Sequence, residues 1–564
     1  MHREPAHKKL TERRQALICR FGVCLIVVVV LCAFALQKEG YHMDEMISFE
    51  MSNAKFNPWI VPTQPQGRLA KFVQEEIDAK TVPMTLQNIW RVAIDVFRNR
   101  GESLIMQYQA DVYQEPVWIS AEQFRNYITV GSKDAFLYPS VYFNVKDDNH
   151  PPVHFMLLHT VSSLFWGKEF LFMGLFINIL AILGCCILMM KTGRLLDERA
   201  NVPGIGFYER VGMLAALLYG ISAAGIATML LIRMYATMTF FCVALCYLHI
   251  RKWVDGDFRT KNMSLIMVTV LGFLTQYFFL FYCMTIAAVT TVLLWKKDRA
   301  VTHKKISRWQ RWKNSSTLAY VSRMVLAGGI GVILFPFSLG DVFASGRGVE
   351  VMDQLAGDFA DFGKRLVQFG AIVLRRCLGN HSSILLSVMS LVIILGAAVF
   401  CIYVVKKKKI STDPILWMLL LPPAAYFILA ARVSPYLVDR YIMPVFPFVF
   451  GAIAIFLITL FSLIPKRMQV LRIVLCGCVS CFALWNLTLY DGSYLYSGYQ
   501  KQVDVAKKHP TYACICIYEG YSFYENLEEF TNYEKTLLVT PAELASRQDT
   551  DSIEQLDTVV ILHK

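Results

Sequence analysis

The sequence predicts a mainly α, polytopic integral membrane protein with about 11–13 transmembrane helices, a large helical outer loop and a small C-terminal extracytoplasmic α/β module. Three observations predict this class. Hydrophobic residues make up 55% of the 564 residues and charged residues only 18%, more than a single soluble core needs. Apolar runs long enough to span a bilayer recur along the chain, separated by short basic loops. Past residue 490 these runs give way to short β-rich runs.

The first apolar run, ALICRFGVCLIVVVVLCAFAL, follows the basic stretch HREPAHKKLTERR. A signal peptide would carry a small-residue cleavage site where this chain reads LQKEGYHMDE, so we interpret the run as a retained anchor. Basic residues that flank short spans stay in the cytoplasm. Residues 1–36 therefore predict a cytoplasmic amino terminus and place Asp44 and Glu45, just past the span, on the outer face.

Residues 37–152 are far less apolar than the spans and contain amphipathic stretches such as LQNIWRVAIDVFRN. We predict a folded outer loop whose helices lie on the membrane surface. Residues 491–564 alternate β-rich runs, such as ACICIY and TLLVT, with polar helix-like segments. They predict a small outer α/β module, too short for a catalytic domain with its own sizeable core.

Residues 153–490 are predicted to form the multi-span transmembrane domain. The run from Ser264 is too long for one span, so we predict two helices separated by a tight outer turn at Gln276 and Tyr277. Further runs begin near Val153, Val211, Met234, Phe279, Tyr320, Ile384, Ile415, Tyr441 and Leu471.

Residues 153–190 can be read as two full spans or as one net crossing. Two spans would place the basic segment that follows Lys191 outside, against its charge. We prefer one crossing, preceded by a short surface or partly inserted helix, HFMLLHTVSSLF.

The net charge of +13 does not indicate a nucleic-acid partner, because the basic residues cluster in short loops such as KKKK and PKR between apolar runs. They are typical of topology signals that contact anionic lipid heads. The 15 cysteines are scattered mainly through apolar runs, and the single CxxC pair, Cys478 and Cys481, lies inside such a run. They predict neither a disulfide framework nor a cysteine metal site.

Four polar clusters fall at predicted outer ends of spans, where polar groups are costly unless they have a use. They are HMDE, DDNHPP, LIRMYA and VDRYIMP. Each also has a structural explanation: a solvated helix exit for Asp44 and Glu45, an entry turn for the prolines, snorkelling for Arg233, and a local ion pair of Asp439 with Arg440.

Together the clusters supply the groups needed to transfer a sugar from a lipid phosphate. Arginine binds phosphate through a bidentate fork, and a nearby carboxylate can take a proton from an attacking hydroxyl. If the donor is a polyprenyl-phosphate sugar, the phosphate leaves with its charge already held by arginine. One general base then suffices.

The same clusters carry a family resemblance. An outer DE after the first span, DxHPP closing the first outer loop, RMYA at a span end, QYF in a later turn and RYxxPxxP near the end resemble the family-39, GT-C-type membrane glycosyltransferases. These are similar to protein O-mannosyltransferases and aminoarabinose transferases. The resemblance covers roughly residues 10–490 and rests on the order of the motifs.

The resemblance implies an inverting transferase that uses a polyprenyl-phosphate sugar on the non-cytoplasmic side. By position it implies catalytic roles for three carboxylates, donor-phosphate binding by two arginines and two tyrosines, and two further site residues. These are Asp44, Glu45 and Asp148; Arg233, Tyr235, Arg440 and Tyr441; and Asp147 and His150. The chain reads DDNHPP where a single acid is commoner, so Asp147 and Asp148 remain alternatives.

No protein metal site is predicted and no cofactor is certain, although carboxylates with His150 could hold a divalent cation. The expected partners are the lipid-linked donor, an acceptor glycan, lipid or protein, and membrane lipids. A bacterial plasma membrane is the expected location. Alternative interpretations are a transporter or flippase, an envelope polysaccharide polymerase or ligase, and a scaffold or sensor.

Overall fold

The computed structural model describes residues 6–99, 102–109, 115–146, 148–168, 171–202, 204–260, 262–301, 315–343, 349–351, 354, 359–379, 414–465, 467–546 and 558–564. The chain divides into two compact units. The membrane unit comprises residues 1–36, 149–151 and 175–493, and the loop–tail unit comprises residues 37–148, 152–174 and 494–564.

The membrane unit is helical throughout its described part. A 3-10 turn, Asp439–Val445, precedes one of the last spans. The α-helices are Ala6–Ala35, Leu171–Arg199 (in this unit from residue 175), Phe207–Gly220, Ala223–Leu230, Tyr235–Asp255, Met263–Phe273, Phe279–Val301, Ser316–Leu334, Ser338–Phe343, Phe359–Leu378, Pro414–Val433, Phe446–Leu463 and Gln469–Thr488.

Seven of the described helices are long and apolar enough to cross a membrane, and the bent pair Phe207–Gly220 and Ala223–Leu230 makes an eighth if counted as one span. The predicted mainly α, polytopic class is confirmed. The predicted run near Ile384 lies outside the described residues. Inside this unit, Arg20 Nε on the first span donates to Glu209 Oε1 at 2.7 Å, which ties that span to helix Phe207–Gly220.

The predicted break near Gln276 is confirmed. Helix Met263–Phe273 is followed by a short turn of five residues, and helix Phe279–Val301 begins after it. A Cβ at Gly272 would collide with the ring of Phe279, so glycine permits the close approach that this reversal needs. Helix Val153–Leu164 is likewise separate from Leu171–Arg199 and, at 12 residues, is too short to span a bilayer.

The loop–tail unit mixes helices with one small sheet. Its helices are Met43–Asn53, Arg68–Phe72, the π-helix Val73–Ile77, Val82–Asn99, Leu104–Gln109, Ala121–Ile128, Tyr138–Asn144, Val153–Leu164, Tyr499–Lys508, the 3-10 turn Ser522–Asn526, Leu527–Phe530 and Pro541–Ser546. Its strands are β1 Trp118–Ser120, β2 Ala513–Ile517, β3 Lys535–Val539 and β4 Val559–His563.

The sheet has the order β1-β3-β2-β4. β2 runs parallel to both β3 and β4, with Ile515 opposite Leu537 and Ile561. β1 adds antiparallel to β3, with Trp118 opposite Leu537. The tail therefore has the predicted α/β character, and its sheet takes one strand from the long loop, so that loop and tail fold as a single unit.

Helix Val82–Asn99 confirms the predicted amphipathic segment as a helix. Its apolar side chains are exposed in the structure, among them Leu86, Trp90 and Phe97. Contact of this helix with the membrane surface stays a prediction.

Candidate functional site

Tyr441 forms the centre of an aromatic and cationic cluster in the membrane unit. Its buried ring lies 6.1 Å from the ring of Tyr235 at 87° and 5.4 Å from the ring of Phe278. The guanidinium carbon of Arg440 lies 5.4 Å from the same ring. The hydroxyl of Tyr426 donates to the Tyr441 carbonyl at 2.8 Å, which fixes the 3-10 turn carrying Arg440 and Tyr441.

Arg233 lies in a backbone break between helices Ala223–Leu230 and Tyr235–Asp255 and is only 5% exposed. Asn178 holds this break open, because its side-chain amide donates to the carbonyls of Met229 at 2.9 Å and Leu231 at 2.7 Å. These carbonyls lie at the end of helix Ala223–Leu230, where carbonyl groups have no N–H donor within their own helix. A guanidinium buried at such a position requires acceptors or an anion.

The structure thus brings three predicted motifs into one cluster of the membrane unit. RMYA contributes Tyr235, the QYF turn contributes Phe278, and RYxxPxxP contributes Arg440 and Tyr441. We call this set the Tyr441 cluster. Three of the predicted donor-phosphate residues, Tyr235, Arg440 and Tyr441, belong to it. Arg233 lies two residues before Tyr235 in the same unit.

Arg376 is a residue that sequence reasoning missed. Its Nε donates to Asp439 Oδ2 at 2.7 Å, one nitrogen donates to both oxygens of Asp491 at 3.0 and 3.1 Å, and the other donates to Ser493 Oγ at 3.0 Å. Asp439 thereby has an ion-pair partner distant in sequence, rather than only its neighbour Arg440. The Arg376 network holds the turn that carries the Tyr441 cluster.

A cavity of about 140 Å³ adjoins this network. It is lined by Ala223, Ile372, Arg375, Arg376, Leu489 and Asp491. The sequence signal for this network is the arginine pair, Arg375 and Arg376, in the last turn of the amphipathic helix Phe359–Leu378.

In the loop–tail unit, the adjacent carboxylates Asp44 and Glu45 occupy different environments. Helix Met43–Asn53 begins with a capping box, in which Glu45 Oε2 accepts from the His42 backbone N–H at 2.7 Å. Both oxygens of Glu45 also accept from Lys38 Nζ at 3.1 Å, and neither side chain of this pair is exposed. Glu45 is therefore fully engaged in holding the helix start.

Asp44 is the accessible member of the pair, with 21% of its side chain exposed. Its Oδ2 lies 3.5 Å from His42 Nδ1, and that ring nitrogen accepts from the Asp44 backbone N–H at 3.1 Å. A carboxylate in the first helical turn is favoured by the helix dipole. Asp44 is thus the carboxylate of the pair that is partly open to solvent.

The second predicted acidic site comprises Asp147, Asp148 and His150. Asp148 is half-buried just past helix Tyr138–Asn144. The Asn144 amide donates to the carbonyls of Met51 at 3.2 Å and Ala54 at 2.7 Å, which anchors this segment on the helix that carries Asp44. His150 is half-buried and belongs to the membrane unit. Asp147 lies outside the described residues.

Glu50 is a second missed carboxyl, fully buried in the loop–tail unit on helix Met43–Asn53. It lies beside the Tyr524 hydroxyl and the Ile60 backbone N–H, without a well-formed hydrogen bond to either among the described residues. Burial raises the pKa of Glu50 well above its ordinary value. The Glu50 carboxyl therefore stays protonated to higher pH than an exposed glutamate does.

Removing the Glu50 proton is expected to destabilise the loop–tail unit. The pKa of Glu50 is raised in the folded state, so the protonated Glu50 carboxyl contributes fully to stability below about pH 4.5. This contribution is lost as the pH rises through the folded-state pKa of Glu50. Glu50→Gln should therefore be more stable than the unsubstituted protein at alkaline pH, by about 1–3 kcal/mol, and no more stable at pH 4.5. Thermal-unfolding midpoints in detergent between pH 4.5 and 9 measure this difference.

The difference in stability between the two proteins isolates the effect of Glu50. His159 also makes stability depend on pH, with the opposite sign, but it does so equally in both proteins. Burial lowers the pKa of His159, so its contribution is lost as the pH falls. Parallel curves for the two proteins across the whole range would contradict the Glu50 prediction.

No group of three or more His, Cys, Asp and Glu residues in the described ranges is arranged to hold a metal ion. A divalent cation stays a prediction for the acidic segment that contains Asp147.

No family model matches the chain, and no curated protein matches it. Two solved structures do. ArnT from Cupriavidus metallidurans bound to undecaprenyl phosphate matches with a TM-score of 0.39 and 12% identity, over 74% of this chain and 79% of that chain. ArnT from the same organism in the apo state matches with a TM-score of 0.38 and 13% identity, over 73% and 79%. A TM-score below 0.5 does not establish a shared substrate or reaction.

Proposed function

We propose that this protein is a membrane glycosyltransferase that moves a sugar from a polyprenyl-phosphate-linked donor to an acceptor on the extracytoplasmic face, with inversion. The acceptor oxygen forms a bond to the anomeric carbon as the bond from that carbon to the phosphate oxygen breaks. The acceptor proton passes to a carboxylate, and the lipid phosphate leaves with the bonding electron pair. Donor and acceptor thereby exchange one sugar, and no further reactant is needed.

The Tyr441 cluster is the observation that carries this proposal. Arg440 lies beside the ring of Tyr441, which contacts the ring of Tyr235. Arg233 is buried at the backbone break two residues before Tyr235. Arginine suits a phosphate that gains charge on leaving, because its planar donors match two phosphate oxygens and it stays protonated. Two fixed cations stabilise the leaving phosphate more in the transition state than in the donor.

Asp44 is the proposed general base. The Lys38 and His42 contacts engage Glu45, and Asp44 remains the exposed carboxylate of the pair. A charged carboxylate can accept the proton of an attacking hydroxyl or amine. Asp148 is proposed as a second acidic group that orients the acceptor.

The test is transfer of radiolabelled sugar from a panel of polyprenyl-phosphate sugars by the purified full-length protein in nanodiscs. Arg233→Ala is expected to lower kcat about 10²–10³-fold, the usual effect of removing one transition-state donor. The matched control is Arg251→Ala, at the far end of the helix that begins at Tyr235, where Arg251 pairs with Asp255 on an exposed surface. It should retain full activity.

Failure of folded protein to consume any donor would overturn the proposal and favour the transporter or flippase. Polymerisation of a lipid-linked glycan, seen by product analysis, would instead identify an envelope polymerase or ligase. Equal activity of Arg233→Ala and Arg251→Ala would remove Arg233 from the donor site.

A further inference from the structure

Lys38 lies just past the first membrane span, and its ammonium group is fully enclosed. Its Nζ donates to both oxygens of Glu45 at 3.1 Å and to the Tyr494 carbonyl at 2.8 Å. It lies 5.1 Å from the ring of Tyr496 and 5.9 Å from the ring of Tyr41. We call Lys38, Glu45, Tyr494 and Tyr496 the Lys38 clasp.

The tail half of the clasp is held in an unusual backbone conformation. Tyr494 and Tyr496 have φ angles of 68° and 53°, in the left-handed region that bulky side chains rarely adopt. Such residues persist only where the surroundings determine them, and they concentrate near functional sites. Here the surroundings include a hydrogen bond of 2.8 Å from the Glu39 N–H to the Leu495 carbonyl and the close packing of Gly40 on the Tyr499 ring.

Burial prevents Lys38 from touching a substrate, since none of its side chain is exposed. Burial also lowers the pKa of Lys38, opposed by the adjacent Glu45 carboxylate. A buried lysine is costly unless it is paired. Its contacts therefore point to a role exerted through Glu45 rather than to direct chemistry.

We propose that Lys38 is a positioning residue for the transfer reaction, which fixes the first turn of helix Met43–Asn53 and thereby the orientation of Asp44. The inference rests on the proposed function. The path is short: Lys38 holds Glu45, Glu45 accepts from the His42 N–H, and His42 and Asp44 contact each other at the helix start. The tail residues Tyr494 and Tyr496 thereby support the proposed base from the other end of the chain.

The experiment compares Lys38→Met, Glu45→Gln and the double variant in full-length protein in nanodiscs. Lys38→Met should lower kcat about 10–100-fold, as a small misplacement of a catalytic group does, and leave the donor KM within about threefold. In Lys38→Met, the acidic limb of the kcat–pH profile should move to higher pH. Without the lysine charge, the Glu45 carboxylate disfavours a second negative charge on the neighbouring Asp44. The double variant removes both charges and should recover most of the lost kcat and the original pH profile.

Carbodiimide labelling, followed by fragment mass spectrometry, gives a readout independent of activity. Asp44 should be labelled and Glu45 protected in the unsubstituted protein, whereas Lys38→Met should make Glu45 reactive. An unchanged kcat and pH profile in Lys38→Met, or a double variant as impaired as the single, would overturn the positioning role. If the unsubstituted protein transfers no sugar, the proposed function fails, and a protected Glu45 would then leave Lys38 only a structural role.

Discussion

Asp44→Asn is expected to lower kcat for sugar transfer by roughly 10²–10⁴-fold, the usual contribution of a general base. Asparagine keeps the size of the side chain and is also favoured near a helix start, so folding should be preserved. It cannot accept the acceptor proton. The donor KM should change little, because the proposed phosphate contacts are made by Arg233 and Arg440. Initial rates at saturating donor and acceptor measure this effect.

The matched control is Asp134→Asn, which removes another partly exposed carboxylate of the same unit, paired with Lys55 at 3.5 Å. It should keep nearly full activity. If Asp44 is only a solvated residue at a helix start, the two variants will behave alike, and Asp44 will lose its proposed role.

Arg376→Met is expected to destabilise the membrane unit by about 3–5 kcal/mol, the usual effect of removing one partner of a buried ion pair. Asp439 is 5% exposed and would lose its bond from Arg376, whereas Asp491 is 35% exposed and can be hydrated. The turn Asp439–Val445 would lose its anchor. We therefore expect a lower thermal-unfolding midpoint in detergent and weaker donor binding together.

The double variant Arg376→Met with Asp439→Asn separates the two effects. Removing both charges should restore most of the stability, since replacing a buried ion pair is often neutral. Donor binding should stay weak if the network also orients Arg440. A single variant as stable as the unsubstituted protein would show that the pair contributes little.

Local patterns predicted the elements of this fold well. The turn near Gln276 follows from the length of its apolar run, and the short helix Val153–Leu164 follows from basic residues near Lys191. The tail strands follow from β-branched runs such as TLLVT. For the turn and for the strands, the signal lies within the element itself.

The missed features depend on contacts between distant segments. Nothing in the three residues of β1 indicates a partner strand in the tail. Lysine is seldom buried, so the sequence around Lys38 does not predict that its side chain is enclosed and paired with Glu45. Arg376 pairs with two carboxylates, Asp439 and Asp491, that are both more than 60 positions away in sequence, so no local pattern indicates the network. Glu45 was grouped with Asp44 because sequence adjacency does not distinguish a capping carboxylate from an available one.

The shared sheet has a consequence for how the protein is made. β1 is synthesised before nearly all of the membrane spans, and its partner β3 only after the last of them. The loop–tail unit therefore cannot complete its sheet until translation is almost finished, and its early half must wait with an unpaired strand. Chains that terminate early would present that open edge, a feature by which quality-control proteases could distinguish truncated products from finished ones.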